Sequence, residues 1–313
     1  VELSDEMMLV TAAIILHTMF STESSDDLLE VKAAVETMIR YVATSQQSPI
    51  RLPRWLPTPA NRRYFRAREL VHTYIAALLA HRRRLPQDQW PDDLLTKLML
   101  ARDEQTGEPM SDALLRDESI TIFFAGHETT ARTLTFLFYA LAQSPEVEQR
   151  LVAETAALAG RRPTVEDLKR LPYTLQVIKE TLRLYPAAPI YARDVVADDA
   201  LDGVRIPAGA TVLPFPYATH RHPAFWPDPE RFDPERWTPQ AEAGRHPYAF
   251  HPFAAGKRIC LGNNFSLLET HVIASMLVPR FRLRPRPGFR PQVIMAGTIA
   301  SKNGMPMFIE ERR

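Results

Sequence analysis

Hydrophobic positions recur at a helical period through the first two thirds of the chain. Asn61–Arg84 shows it most clearly. Leu70, Val71, Tyr74, Ile75, Leu78 and Leu79 form one stripe, and Arg62, Arg66 and Arg82 are expected on a solvated opposite face. Glu6–Phe20 and Ser25–Tyr41 read as earlier helices. A loop over Ser45–Arg63, broken by Pro49, Pro53, Pro57 and Pro59, separates them from the third. The longest helix is expected over Ser111–Ser144, with Ser111 and Asp112 at its N-cap and Pro145 at its end. Such a helix is about 45 Å long. Its middle, ITIFFAGHETTARTLTFLFYALA, is apolar nearly all round, the pattern of a helix that crosses a core. Pro145–Ala159, Thr164–Leu168 and Leu171–Leu184 continue the helical run.

After Pro186 the pattern changes to short extended pieces between prolines. Strands are expected at Ile190–Val196, Val204–Ile206 and Thr211–Leu213, the last two joined as a hairpin across Pro207-Ala208-Gly209-Ala210. Helix returns at Asn263–Val278, and short strands finish the chain. The fold class is therefore mainly α with small β-sheets (α+β), and the length suits one large or two ordinary domains.

Composition adds exclusions. Of the 313 residues, 45% are hydrophobic and 24% charged, with a formal net charge of +1, so nothing points to nucleic acid or an anionic surface as partner. No apolar run reaches the roughly 18 residues of a membrane span. The nearest, Met7–Phe20, carries His17 and reads as a buried helix. The chain begins at Val1 without a targeting segment, as a processed or truncated piece would, and an anchor upstream is compatible with it. A single cysteine, Cys260, rules out an internal disulfide and fits a reducing compartment.

Four constellations carry candidate chemistry. In PFAAGKRICLG, Gly256 and Gly262 flank Cys260, Lys257 and Arg258 precede it, and a helix begins just after it. Helix amides and cations favour thiolate over thiol, so Cys260 is either a nucleophile or metal ligand, or a small buried hydrophobe. In AGHETT, Ala125 and Thr129, four apart, share a helix face and leave room for something flat, and Gly126 is a poor choice for a helix centre. Glu128 and Thr129 offer an acid and a hydroxyl for a proton relay. The alternative there is a helix bent for packing by its threonines, with His127 as a structural histidine. In ETLR, Glu180 and Arg183 lie one turn apart among apolar neighbours, and Arg236 of FDPERW is a third member for a buried cluster. Arg193, in an extended segment, is either solvated or clamps an acidic ligand.

In this order the four motifs resemble those of the cytochrome P-450 family of haem-thiolate monooxygenases. Phe253-x-x-Gly256-x-Arg258-x-Cys260-x-Gly262 is similar to the family's haem-binding loop, AGHETT to its oxygen-activation helix, and Glu180-x-x-Arg183 with Arg236 to its buried cluster. The resemblance implies a cytochrome P-450 fold binding haem b (iron protoporphyrin IX). Cys260 is then the axial iron ligand and Phe253 packs beside the sulfur. Arg258 and Arg193 hold the propionates, and Ala125 and Gly126 give haem, oxygen and substrate access. Glu128 and Thr129 deliver protons, and Glu180, Arg183 and Arg236 are scaffold. Members of that family usually carry roughly a hundred further residues ahead of this starting point. The resemblance thus implies one catalytic domain over 1–313, N-terminally truncated, with an incomplete sheet and an open haem face.

The implied reaction is insertion of one oxygen atom of dioxygen into a C–H bond of an apolar small molecule. Ala187, Ala188, Pro189, Ile190, Ile122 and Phe123 would lie beside that substrate. The sequence holds no flavin- or nicotinamide-type glycine motif, so electrons come from a separate ferredoxin or flavoprotein reductase, with Lys257 a candidate for its docking face. The setting implied is cytoplasmic, bacterial and without a membrane. The alternatives are a zinc site of Cys260 with His246, His251 and His271, a haem-binding sensor, and a peroxygenase or isomerase on the same fold.

Overall fold

The computed structural model describes residues 1–21, 26–47 and 53–312. The helices are α1 (Leu3–Phe20), α2 (Asp26–Gln47), α3 (Pro59–Arg84), α4 (Leu94–Leu100), α5 (Asp112–Gln143), α6 (Pro145–Thr155), α7 (Val165–Leu168), α8 (Pro172–Leu184), α9 (Pro216–Thr219), α10 (Pro239–Glu242) and α11 (Asn263–Leu277). The strands are β1 (Arg193–Asp194), β2 (Asp199–Leu201), β3 (Val204–Ile206), β4 (Thr211–Val212), β5 (Phe281–Pro285), β6 (Val293–Ala296), β7 (Thr298–Ser301) and β8 (Met307–Glu311). The expected mainly-α architecture is present. The expected helix start at Ser25 and residues 48–52 of the proline loop lie outside the described residues.

Contacts divide the chain into two compact units, Asp5–Ala131 and Val1–Ser4 with Arg132–Arg313. In the first, α1 buries Met7, Met8, Ala12, Ile15, Leu16 and Phe20, one stripe at helical spacing. By length and composition α1 could cross a membrane. Here the stripe is covered by protein, and Thr11 Oγ1 donates to the His127 carbonyl at 2.8 Å. On α3, Val71, Ile75 and Leu79 are buried as their spacing requires. Arg82 is not on the solvated face. Its guanidinium is buried in two hydrogen bonds to Asp93, at 2.8 and 2.6 Å, and one to the Phe20 carbonyl at 3.2 Å. Asp93 also caps α4, a helix the periodicity did not show because it is only 7 residues long.

In the second unit the strands form two nested antiparallel pairs. The β2–β3 hairpin sits inside the β1–β4 pair, and β6–β7 inside β5–β8. The expected pairing of Val204–Ile206 with Thr211–Leu213 is therefore corrected: β3 pairs with β2 across Asp202-Gly203. Both turn residues are left-handed, at φ 48° and 80°, as a tight two-residue hairpin demands. The Gly209 turn instead brings the chain back to β1, with Gly209 N–H on the Val195 carbonyl at 2.8 Å.

Candidate active site

The best-determined constellation is the buried cluster on α8. Glu180 and Arg183 have no exposed side-chain surface. Arg183 donates from Nε to Glu180 Oε2 at 2.9 Å and from an η nitrogen to Oε1 at 2.8 Å. Its remaining N–H groups reach the carbonyls of His220, Pro229 and Arg231 at 2.8, 2.7 and 3.0 Å. All five guanidinium donors are thus satisfied. Glu180 also accepts from Asp233 N–H at 2.8 Å and Trp237 Nε1–H at 2.9 Å. Arg236 joins more loosely, 3.5 Å from Glu180 Oε1. A buried pair with this many additional hydrogen bonds escapes the usual desolvation penalty. It fixes residues 220–237 against α8. Trp237 was missed by spacing arguments, although a buried indole needs an acceptor for its N–H.

That segment leads to the cysteine loop. Trp226 Nε1–H donates to the Ala249 carbonyl at 3.3 Å, and the His251 amide donates to His220 Nε2 at 2.9 Å. The loop then closes on itself, with Ile259 N–H on the Gly256 carbonyl at 3.1 Å and Cys260 N–H on the Phe253 carbonyl at 2.9 Å. Gly256 is left-handed at φ 70°, and so is Ala254 at φ 59°. Gly262 occupies the N-cap of α11 without a side-chain cap, and a Cβ there would meet the Cys260 sulfur at 3.9 Å.

Cys260 is exposed, which removes the reading as a small buried hydrophobe. Ile259 and Leu261 beside it are 54% and 84% exposed, so the thiol stands in an open apolar surface. Lys257 and Arg258 are exposed, and among the described residues neither forms an ion pair. Arg193 stacks over Tyr191 at 4.7 Å and donates to the Ala192 carbonyl, and among the described residues it has no carboxylate partner. Tyr191 in turn contacts His251, its hydroxyl 3.4 Å from Nδ1.

AGHETT belongs to the other unit, and α5 runs unbroken through the motif. It is not apolar all round, because Asp117, Thr121 and Ala125 are exposed one turn apart and Thr129 is half-buried above them. Thr129 Oγ1 donates to the Ala125 carbonyl at 2.6 Å. Glu128 is buried. His127 is structural, its Nδ1 2.8 Å from the Phe123 carbonyl and its ring stacked on Phe123. Gly126 has a packing role: a Cβ would lie 2.6 Å from Ile15 Cδ1. Of the residues expected beside a substrate, Phe123, Ala187 and Pro189 are buried within the protein, while Ile190 is exposed. A cavity of about 440 Å³ lies elsewhere, lined by Glu148, Arg282, Arg284 and Arg312, and contains none of the predicted site residues.

Comparison with known proteins decides what this arrangement belongs to. The family model described as Cytochrome P450 matches residues 1–307. The chain belongs to the cytochrome P450 family. It is 38% identical over 289 residues to cyclooctat-9-en-7-ol 5-monooxygenase of Streptomyces melanosporofaciens, covering 92% of this chain and 62% of that one. It is 38% identical to human cytochrome P450 4F2, over 76% of this chain and 49% of the other. It superposes on the cytochrome P450DA heme domain with a TM-score of 0.90 at 28% identity, covering 100% of this chain and 68% of that one. Retinoic acid-bound cyanobacterial CYP120A1 gives 0.89 at 28% identity. The chain thus spans about half to two thirds of the length of the curated relatives it matches.

The residues of this P450 chain fit the family's haem. The sulfur is a soft donor among exposed apolar side chains, and the cations of the same loop and Arg193 have no carboxylate partner among the described residues, which suits a macrocycle with acidic side chains. The zinc alternative lacks its ligand set. Among the described residues no three His, Cys, Asp or Glu gather around a metal position. His246 accepts from the Tyr248 amide, and His271 is buried on α11.

Proposed function

We propose that the protein is a haem-thiolate monooxygenase, its two units parts of one catalytic domain over 1–313. The observation that carries this reading is the exposed thiol of Cys260, held by a closed glycine-flanked loop at the start of α11. When bound, haem b supplies activation of dioxygen, one atom entering a substrate C–H bond and the other leaving as water.

The chain's own residues bind, orient and move protons. Cys260 provides the axial sulfur, and its amide is spent on the Phe253 carbonyl, which fixes the direction of the side chain. Phe253, half-buried, shields the sulfur. Gly256 permits the left-handed turn, and Gly262 keeps the helix side of the sulfur clear of a Cβ. Arg258 and Arg193 neutralise the propionates. Ala125 offers a flat exposed step on α5. Thr129 Oγ1 accepts and passes a proton, with buried Glu128 as the acid behind it. Glu180, Arg183 and Arg236 hold the loop's supporting segment and touch neither haem nor substrate.

The substrate class is an apolar hydrocarbon or simple alcohol, in keeping with relatives named for cyclooctat-9-en-7-ol and for pentalenene. Exposed Ile190 and the absence of acidic groups beside it in sequence support that choice. Electrons are supplied by a separate ferredoxin or flavoprotein reductase, and the setting is the bacterial cytoplasm. Turnover of the haem-loaded enzyme under ¹⁸O-labelled dioxygen tests the reading. One labelled atom in each product molecule supports it. Product without label, or product formed equally well from peroxide with no reductase, assigns the chain to a different reaction.

A further inference from the structure

His220 lies between the α8 cluster and the cysteine loop, and its ring is fully buried. Its carbonyl accepts from Arg183 at 2.8 Å, so its backbone belongs to the Glu180–Arg183 cluster. The next residue, Arg221, donates to the Leu184 carbonyl at 2.6 Å and ties the same stretch to the end of α8. The imidazole points the other way. Nε2 accepts the backbone N–H of His251 at 2.9 Å, two residues before Phe253. Phe250 and His251 pack on the ring, with centroids 5.1 and 5.2 Å away. One residue thus joins the buried cluster, through its backbone, to the chain entering the cysteine loop, through its side chain.

An imidazole that accepts at Nε2 must be neutral, with its proton on Nδ1. Burial keeps it so: the His220 pKa is pushed down to about 3, with His251 adding to the effect. The neutral acceptor is available throughout the working range of a protein. The His251 amide has no other acceptor among the hydrogen bonds of the described residues. A part-buried amide left without one is costly, so the contact fixes the loop's entry point.

We propose that His220 is a positioning residue for the cysteine loop, setting the Cys260 sulfur through the His251 amide. This rests on the reading of Cys260 as the haem ligand. The test uses the haem-loaded protein with His220→Phe, which keeps an aromatic ring without an acceptor, and His220→Gln, which restores one. Amide hydrogen exchange is followed at His251, Cys260, Arg183 and Trp237, together with the spectrum of the reduced, carbon monoxide-treated protein.

His220→Phe is expected to speed exchange at His251 about tenfold while Arg183 and Trp237 keep the parental rate, and to shift part of the spectrum to a form without thiolate. His220→Gln is expected to restore both. Unchanged exchange at His251 in the Phe variant, equal loosening at Arg183 and Trp237, or failure of Gln to restore either readout overturns the proposal. If the Phe variant does not fold, the Gln variant decides: parental exchange at His251 supports the link, and a tenfold rise refutes it. A parental protein without a thiolate spectrum refutes the functional reading alone, since the exchange arm still reports on the His220–His251 contact.

Discussion

Replacing Glu180 by alanine removes the centre of the α8 cluster. The carboxylate accepts from Arg183 twice, from the Asp233 amide and from Trp237 Nε1–H. The variant therefore strands a buried guanidinium short of two acceptors and leaves two neutral donors orphaned. Breaking a buried ion pair by removing one partner costs about 3–5 kcal/mol. Each orphaned neutral donor adds about 1–3 kcal/mol. The sum, about 5 kcal/mol or more, matches the entire stability of many domains. Glu180→Gln keeps an oxygen for Trp237 or Asp233 and should lose less. Arg236→Ala, which removes a 3.5 Å contact to Glu180 and a 2.7 Å hydrogen bond to the Asp228 carbonyl, should cost about 1–2 kcal/mol. Urea unfolding followed by circular dichroism gives the three values on one scale. A Glu180→Ala protein within about 2 kcal/mol of the parent, or an Arg236→Ala protein as damaged as Glu180→Ala, refutes the hydrogen-bond accounting.

Acid should destabilise the protein well above the carboxylate range. His220 and His271 titrate at about 3 and about 4 because burial opposes their charged forms. Unfolded histidine titrates near 6.5, so from there down to about pH 4 the unfolded chain holds protons that the folded chain refuses. Stability therefore falls with pH, approaching a slope of about 2.7 kcal/mol per unit for the two together. A flat urea midpoint between pH 7 and 5 contradicts this. For Asp93, burial would raise the pKa, but hydrogen bonds from Arg82, the Thr96 amide and Ser21 outweigh it and lower it. Its contribution is present above the unfolded value near 3.9 and is lost as pH falls through the lower folded value. Asp93→Asn should cost about 3–5 kcal/mol at neutral pH, and a loss below 1 kcal/mol would show Arg82 satisfied elsewhere. Gly126→Ala drives a methyl to 2.6 Å from Ile15 Cδ1 and should cost about 1–3 kcal/mol, relieved by Ile15→Val; absence of relief contradicts the packing role. Thr129→Ala should leave haem content intact and lower the product formed per electron consumed, and unchanged coupling removes Thr129 from the proton path.

The candidate residues could be singled out in the sequence because they are close along the chain. Gly256, Cys260 and Gly262 lie within one loop, and Glu180 and Arg183 one turn apart; their roles came from the resemblance to the family. Contacts distant in sequence were not readable. Arg82 looked like one more solvated arginine because its partner Asp93 lies beyond the end of α3. The packing of Gly126 against Ile15 is one such contact, the two residues being far apart in the chain. Trp237 and His220 join the cluster only once residues 220–237 fold back on α8. The hairpin pairing has a local cause. Asp202-Gly203 is a stronger two-residue turn signal than Pro207-Ala208-Gly209-Ala210, so β3 pairs with β2.

The central claim is that the Cys260 sulfur is the protein's ligand to haem iron. The direct measurement is the absorption spectrum of reduced, carbon monoxide-treated protein, parent against Cys260→Ser. The account predicts a thiolate-type spectrum in the parent and its loss in the serine variant. A parent spectrum without thiolate character, or one that the substitution leaves unchanged, contradicts the account.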